Sequence, residues 1–529
     1  MTFAVPRRLP IVVGLSALFV LVGITPAVAD SPSSGGDVAV AQTLGPRELT
    51  IVLRRVTAVP GPLHVDVVTH AGSPAGRLTL ALTPTGTATG SSALPAPGVP
   101  TGRGGVHIGA TPGMYSATVA VDRPGPWELA VGDGTQVTRI PFVVPVQVTT
   151  PPERLVYGGF LAAGVLLVGS VVVAVRARRN RWALLPAGGM LVGLSVAVTA
   201  AVLSASLPLP PQPGNQLDPT IDNVTNPYAR TTPMIADFSR PPAMLALDGG
   251  PVTAGRPADV GVRLSDAATG APVDDLLVNG GALIHLLVVG PAGELWHVHP
   301  VRLGPGHYQV RLTLPAPGHY AVSAELERRG GGVQLVRAAT GLEVLPGGGS
   351  HPVDRPVPLG GGTASGSTVI GGTPVTVMTT APVAGQPTTV GATVGHTADL
   401  QPWLSMVGHL IVAGPLPADS GAVVGEAVQN APVWAHAHSM GGAMPMTGMP
   451  GMSGMDHSAS GMSGMLVPPV NGDSAPDETV AAYGPDVPFT FTFPVAGQYR
   501  LWIQAERDYT VLTVPVVLDV AASDQGMGR

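Results

Sequence analysis

The pairs His297-x-His299 and His436-x-His438 are the residues best suited to chemistry in this chain. In a β-strand, residues i and i+2 project from one face about 6.6 Å apart. Metal–imidazole bonds of roughly 2.0–2.1 Å let two such rings converge on one ion. A third histidine on a neighbouring strand, His285 for the first pair and His409 for the second, would complete a three-nitrogen site. A histidine followed by His-x-His occurs twice, which sets the pattern apart from scattered packing or surface histidines. Trp296 lies on the opposite parity from His297, whereas Trp434 shares the parity of His436, so the sequence leaves open whether the two strand faces match.

A second feature follows the second pair directly. Eight methionines fall within 26 residues: Met440, Met444, Met446, Met449, Met452, Met455, Met462 and Met465. Gly, Ser and Pro space them, Asp456 and His457 stand among them, and no Leu, Ile, Val or Phe interrupts the run. Methionine usually fills cores, but a methionine-only set on a Gly/Ser chain has nothing to pack with. Thioether sulfur is a soft ligand that selects Cu(I) over hard cations. The expected cargo or cofactor is therefore copper, as Cu(I) with Cu(II) also open.

The chain has no cysteine, which excludes thiolate copper centres, zinc ribbons, iron–sulfur clusters and disulfides. Any metal must be held by His, Met, Asp or Glu. All 27 basic residues are Arg, the net charge is −6, and the one basic run is short, so no nucleic-acid partner is expected. No nucleophile elbow with a triad, zincin helix, phosphate loop or dinucleotide fingerprint is present, and no enzyme is expected. Asp274-Asp275 reads as a turn. His64, His70, His107, His351 and His396 read as weaker candidates or as solvated turn residues, and His307 and His319 flank a hairpin that could add to the His285 set.

The elements that must position these residues are legible from patterning. At 529 residues the chain is long enough for three or four units, and 45% apolar residues rule out wholesale disorder despite 71 Gly and 57 Pro. Arg7-Arg8, the apolar run Ile11 to Ile24 and Ala27-Val28-Ala29 read as a secretory signal peptide over 1–29. Tyr157 to Val175 and Ala183 to Ser204 are each long enough to cross a hydrocarbon core. Between them Arg176, Arg178, Arg179 and Arg181 make loop 176–182 cytoplasmic by the positive-inside rule. The hairpin 157–205 would anchor the chain in the cell membrane with both large regions extracytoplasmic. It carries no intramembrane charge and reads as an anchor rather than a transporter.

Outside the hairpin, apolar residues alternate with period 2 between Gly/Pro turns, as in Tyr308 to Leu312 and Phe489 to Phe493. The expected fold is mostly β, with three immunoglobulin-like β-sandwich modules at 38–150, 241–346 and 372–521 plus the two-helix transmembrane hairpin. Segments 206–240 and 347–371 read as linkers, and 440–465 as a Met-rich loop. The second and third modules repeat one another: Val252 to Pro257 parallels Pro382 to Pro387, Ile284 to Gly290 parallels Gly408 to Gly414, and Trp296 to His299 parallels Ala435 to His438.

On the stretch Trp296 to Pro300 with Gly306 to Tyr320, and on His409, His436 to His438 and Pro494 to Tyr499, the chain resembles the YtkA-like and FixH-like extracytoplasmic modules, and more loosely the CopC-type copper-binding β-sandwiches. That resemblance implies immunoglobulin-like sandwiches and a role in copper handling or oxidase assembly. The expected function is an anchored protein that sequesters or passes on Cu(I); the rival expectations are a non-catalytic assembly partner of a membrane oxidase or copper transporter, and a structural surface protein whose sandwich modules bind other proteins. CopC-type proteins pair a His-rich Cu(II) site with a Met-rich Cu(I) site. The His-x-His beside the Met-rich loop suits that comparison. The best-defined Cu(II) sites of that type use an amino-terminal histidine, where cleavage here would expose Asp30.

Overall fold

A computed structural model describes residues 37–56, 58–84, 99–144, 151–176, 180–205, 242–273, 275–328, 331–348, 353–417, 423–439 and 477–523. The expected signal peptide 1–29, the linker 206–240, the Met-rich loop 440–465, His351 and His457 lie outside them. Every element below belongs to the unit Ser33–Arg529.

Among the described residues the chain is mostly β, with six sheets and two long apolar helices. In the first region, one sheet runs Val38–Leu44, Arg47–Leu53, Gly61–Thr69, Gly113–Val121, and the other runs Gly102–Ile108, Gly76–Pro84, Gly125–Gly132, Val137–Val144. Alternation fills the space between them: Leu49, Ile51, Leu63 and Val65 from one sheet meet Leu78, Leu80, Leu129 and Val131 from the other in a single core.

The helices Pro151–Arg176 and Leu184–Ala205 contain spans of 23 and 20 residues that are long and apolar enough to cross a membrane. Large side chains such as Leu161, Val168, Leu185 and Val192 are exposed on them. In a water-soluble protein so much bare apolar surface would have to be covered, and a lipid bilayer would cover it. The pair anchors the chain in a membrane. Close approach of the helices depends on Gly159, where a Cβ would come 2.7 Å from Gly193 O.

The second and third regions share one plan. In the second, a large sheet orders Val252–Thr253, Leu342–Leu345, Gly318–Arg328, Ile284–Val289, Leu295–Val298 over a four-stranded sheet of Val301–Gly304, His307–Thr313, Pro257–Asp266, Ala243–Asp248. In the third, Val357–Gly360, Thr510–Val520, Gly497–Arg507, Gly408–Leu416, Val433–Ser439 lie over Ser365–Ile370, Thr373–Thr379, Pro387–Val394, Asp486–Thr492. The repeat seen in sequence is repeated in backbone detail. Gly255 and Gly385 take φ of +74° and +78°, and their amides donate to Leu314 O and Phe493 O, each at 2.8 Å. A residue with a Cβ would be strained at both.

Two expectations need correction. Segment 347–371 is not merely a linker, because Val357–Gly360 and Ser365–Ile370 are strands within it. Val357 and Leu359 are buried in the third core, and the Gly360-Gly361-Gly362 turn, all at positive φ, folds the two strands back on each other. Glycine richness here marks a turn rather than a flexible spacer. Nor are the β regions separate beads: the cores of the first and second are continuous. The second and third are joined by an interface core of Leu287, Val289 and Ala321 against Ile411, Ala413 and Trp502. At about 1.5–3 kcal/mol for each fully buried large apolar side chain, that interface is a structural commitment. The short helix Val424–Gln429 closes one end of it, burying Val424 and Val428 and accepting the Trp434 indole N–H at Val428 O, 2.8 Å away.

Candidate metal centre

Strand Ile284–Val289 is buried along its whole length. Its alternation sends Leu286 and Val288 into the second region's own core, and Leu287 and Val289 into the interface. His285 shares the parity of Leu287 and so faces the interface. Strand Gly408–Leu416 does the same, with Leu410 and Val412 inward and Ile411 and Ala413 outward beside His409. Register then brings in the His-x-His strands, with Leu287 opposite His297, Ile411 opposite His436 and His409 opposite His438.

The parity question raised by the two tryptophans is settled by this packing. Trp296 turns away from the histidines and rests on Tyr320, with ring centroids 5.7 Å apart. The counterpart of Trp434 is Leu295, two residues before His297, and both pack into the interface core. The strand faces match.

Two triads result, His285/His297/His299 and His409/His436/His438, each offering three nitrogens within 4.8 Å of one another. In the first triad every outward nitrogen has an acceptor. His285 Nε2 donates to Asn279 O at 2.9 Å, His297 Nδ1 to Gln504 Oε1 at 2.8 Å, and His299 Nδ1 to Glu48 Oε1 at 2.5 Å. The inward nitrogens are then His285 Nδ1, His297 Nε2 and His299 Nε2. The last is buried with no hydrogen-bonding partner among the described residues. In the second triad His409 Nε2 donates to Trp403 O at 3.1 Å, and His436 Nδ1 lies 3.4 Å from Glu325 Oε2.

The carbonyls that hold His285 and His409 come from twin turns. Asn279 and Ala282 exchange backbone hydrogen bonds of 2.9 and 3.1 Å, and Trp403 and Met406 exchange bonds of 2.8 and 3.0 Å. Both central residues of each turn have positive φ, Gly280 and Gly281 in one and Leu404 and Ser405 in the other. Positive φ at both positions is the type I′ hairpin geometry.

The inward geometry has a chemical consequence. His285 Nδ1 is 3.0 Å from His297 Nε2, and His409 Nδ1 is 3.1 Å from His436 Nε2. In the first triad the protons of His285 and His297 are both committed outward, so each neutral imidazole presents a bare lone pair inward; in the second only the His409 proton is so committed, because His436 Nδ1 makes no hydrogen bond among the described residues. Two lone pairs at such a distance repel unless a cation lies between them. Two nitrogens bound to one ion at roughly 2.0–2.1 Å stand about 2.9–3.4 Å apart for bond angles between square and tetrahedral, so the donor set fits a metal.

Electrostatics favours the same state. Burial, reinforced by the neighbouring imidazoles, holds His285, His297 and His409 well below the ordinary histidine value. Burial and His299 bring His436 down to about 3. A neutral imidazole is the metal-ligating form.

The triads are not distant from each other. Ring centroids of His285 and His436 are 5.3 Å apart, those of His297 and His409 5.6 Å, and those of His297 and His436 5.1 Å. Trp403 lies edge-on to both His297 and His409. The first region closes the chamber through Glu48 and also presents His70, whose Nδ1 is 2.5 Å from Glu506 Oε1. Burial opposes the charge on His70, but Glu506, with help from Glu478 and Glu48, raises it to about 9. Burial pushes Glu478 up to about 7.

Other sequence candidates stay apart. His307 lies beside Arg263 and His319 beside Glu343, so neither joins the His285 triad. His64 meets Thr118, and His107 and His396 are exposed. The eight methionines and His457 are outside the described residues. Asp275 is more than a turn residue: it is buried against Arg328 at 3.1 Å, and Asp399 pairs with Arg507 at 2.6 Å in the matching place. Sequence reading missed Glu48, Glu325, Trp403 and Gln504. For two of them a signal existed, since Gly318–Arg328 and Gly497–Arg507 are both 11-residue strands that begin Gly-x-Tyr, end Glu-Arg, and carry Glu325 and Gln504 at the same place.

Comparison with known proteins adds little. A family model described as a domain of unknown function (DUF8832) matches residues 471–522, the segment that carries Glu478, Gln504 and Glu506. No curated protein matches the chain. Among solved structures, dimeric latent PorU from Porphyromonas gingivalis is 8% identical over 92% of this chain, with a TM-score of 0.15, and this chain spans 33% of its length. The Escherichia coli adhesin FdeC is 10% identical over 93% of this chain and 99% of its own, with a TM-score of 0.15. Fibronectin(III)-like modules of Clostridium thermocellum CbhA are 11% identical over 54% of this chain and 98% of their own, with a TM-score of 0.12. Similarities this distant assign neither fold nor activity.

Proposed function

We propose that this membrane-anchored protein binds copper in its buried histidine chamber, sequestering or delivering Cu(I) outside the cytoplasm without catalysing a reaction. One observation carries the metal reading: each triad gathers three imidazole nitrogens within 4.8 Å of one another, and in the first His285 Nδ1 and His297 Nε2, whose ring protons point outward, face each other at 3.0 Å. Imidazole suits Cu, Zn, Fe and Ni alike. The choice of copper rests on the eight methionines that follow His438 in sequence, since thioethers favour Cu(I). The outward placement rests on the arginines between the two spans, which favour a cytoplasmic loop. The resemblance to YtkA-like, FixH-like and CopC-type modules points the same way.

The test is titration of the detergent-purified full chain with Cu(I), Cu(II), Zn(II) and Ni(II) against chelators of known affinity. Stoichiometric copper binding that His297→Ala and His409→Ala weaken by at least a hundredfold is expected. Absence of stoichiometric binding of any of the four would overturn the metal reading, and a preference for zinc or nickel would overturn copper. Deleting 440–465 separates the contributions: it should weaken Cu(I) while leaving Cu(II) unchanged.

A further inference from the structure

We propose that the two triads are halves of one interlocked dinuclear centre, in which Gln504 positions the ion held by His285, His297 and His299, and Glu325 positions the ion held by His409, His436 and His438. This rests on the metal reading and goes beyond it, because it assigns the centre to the pair of regions and names a positioning residue for each ion. Glu325 is the cross-strand neighbour of His285, and Gln504 that of His409. Each thus sits beside the first histidine of its own region yet reaches the middle histidine of the other. His297 Nδ1 donates to Gln504 Oε1 at 2.8 Å, and His436 Nδ1 is 3.4 Å from Glu325 Oε2.

The ring contacts cross in the same reciprocal way, His285 with His436 and His297 with His409. Both positioning residues are themselves held. Gln504 Nε2 donates to Thr513 Oγ1 at 2.9 Å, which fixes its oxygen toward His297, and Asn279 Nδ2 donates to Glu325 Oε1 at 3.4 Å. Gln504 is 2% exposed and Glu325 5%, so water does not replace either. A residue that holds the far nitrogen of a ligating imidazole fixes its tautomer and aim, and losing it typically weakens metal binding 10–100-fold. Here Gln504 holds that nitrogen of His297, and Glu325 stands within ion-pair reach of that nitrogen of His436, each from the opposite region, so neither region builds its site alone.

The experiment uses the full chain in detergent with Cu(II) as the probe. The unsubstituted chain should take up two ions. In a His436→Ala/His438→Ala background, which leaves the second region's triad, Gln504→Met should weaken the remaining ion roughly 10–100-fold and alter its Cu(II) hyperfine spectrum. Gln504→Glu, which keeps the acceptor, should restore both. In a His297→Ala/His299→Ala background, Glu325→Met should do the same to the other ion, with rescue by Glu325→Gln. Should Gln504→Met fail to fold, Gln504→Asn shortens the reach by one methylene and gives the same readout. Unchanged affinity and spectrum in folded Gln504 and Glu325 variants would overturn the interlocked centre and leave two independent sites. Failure of the unsubstituted chain to bind copper would overturn the metal reading instead.

Discussion

The second and third regions reach the same three-nitrogen geometry with different supporting residues. Both use a type I′ turn whose first carbonyl holds the first histidine, but one turn is Asn279-Gly280-Gly281-Ala282 and the other Trp403-Leu404-Ser405-Met406. Glycines take positive φ freely, whereas Leu404 and Ser405 are held there against a penalty of about 1–2 kcal/mol each. Leu404 withstands it because it is buried with Trp403, Ala41 and Ala282, and because its amide donates to Glu478 Oε1 at 3.0 Å. Charge is distributed as differently as strain. The second region borrows Glu48 from the first region and Gln504 from the third, while the third borrows Glu325 from the second. Backbone fixes the histidines, and neighbours from outside the region set how they are protonated and aimed.

The largest expected effect breaks the interface that makes the comparison possible. Trp502→Ala removes a buried indole from the interface core and the 2.9 Å hydrogen bond from its Nε1 to Gly293 O. A loss of about 3–5 kcal/mol in denaturant unfolding is expected, with weaker copper binding at both triads. Retained affinity at both would mean that the regions act separately.

The next effect is set by acid. The folded pKa values of His285, His297, His409 and His436 are depressed below the unfolded value. Their contribution is therefore present above about pH 6.5 and is lost as pH falls, by up to about 1.4 kcal/mol per pH unit for each histidine. Thermal melts of the metal-free chain from pH 7.5 to 5 should show a falling midpoint that His285→Leu together with His409→Leu makes shallower.

The first region behaves oppositely, which sharpens the contrast. The folded pKa of His70 is raised to about 9, so its stabilisation is fully present below pH 6.5 and lost as pH rises toward 9. His70→Gln should remove about 1–3 kcal/mol of alkaline sensitivity, measured as the difference in unfolding free energy between pH 6.5 and 9.5. Ser405→Gly, which makes that position of the third region's turn like that of the second, is the smallest effect. Relief of positive-φ strain less the entropy of glycine leaves a gain of about 0.5 kcal/mol.

Much of this was legible in the chain and some was not, for physical reasons. Period-2 patterning exposes strands because one face must be buried, and a 19-residue apolar run exposes a membrane span because lipid accepts nothing else. The triads were readable for the same reason, since His-x-His shares a face and the repeat supplies a third ring. Facing of the two triads was not, because interface burial and core burial look identical in strands such as Ile284–Val289, which is apolar on both sides apart from His285. Glu48 lies 251 residues from His299, and Gln504 lies 207 from His297. No local spacing rule reaches that far. The segment 347–371 misled for the opposite reason, its glycines marking a tight reversal between two real strands.

Because both halves of the chamber are carried on one polypeptide, the protein behaves as a captive dimer. A tether of this kind keeps its partners at an effective concentration on the order of millimolar, however sparsely the molecule is scattered over a membrane. Expression level cannot unbalance the two halves, and no half waits for a mate.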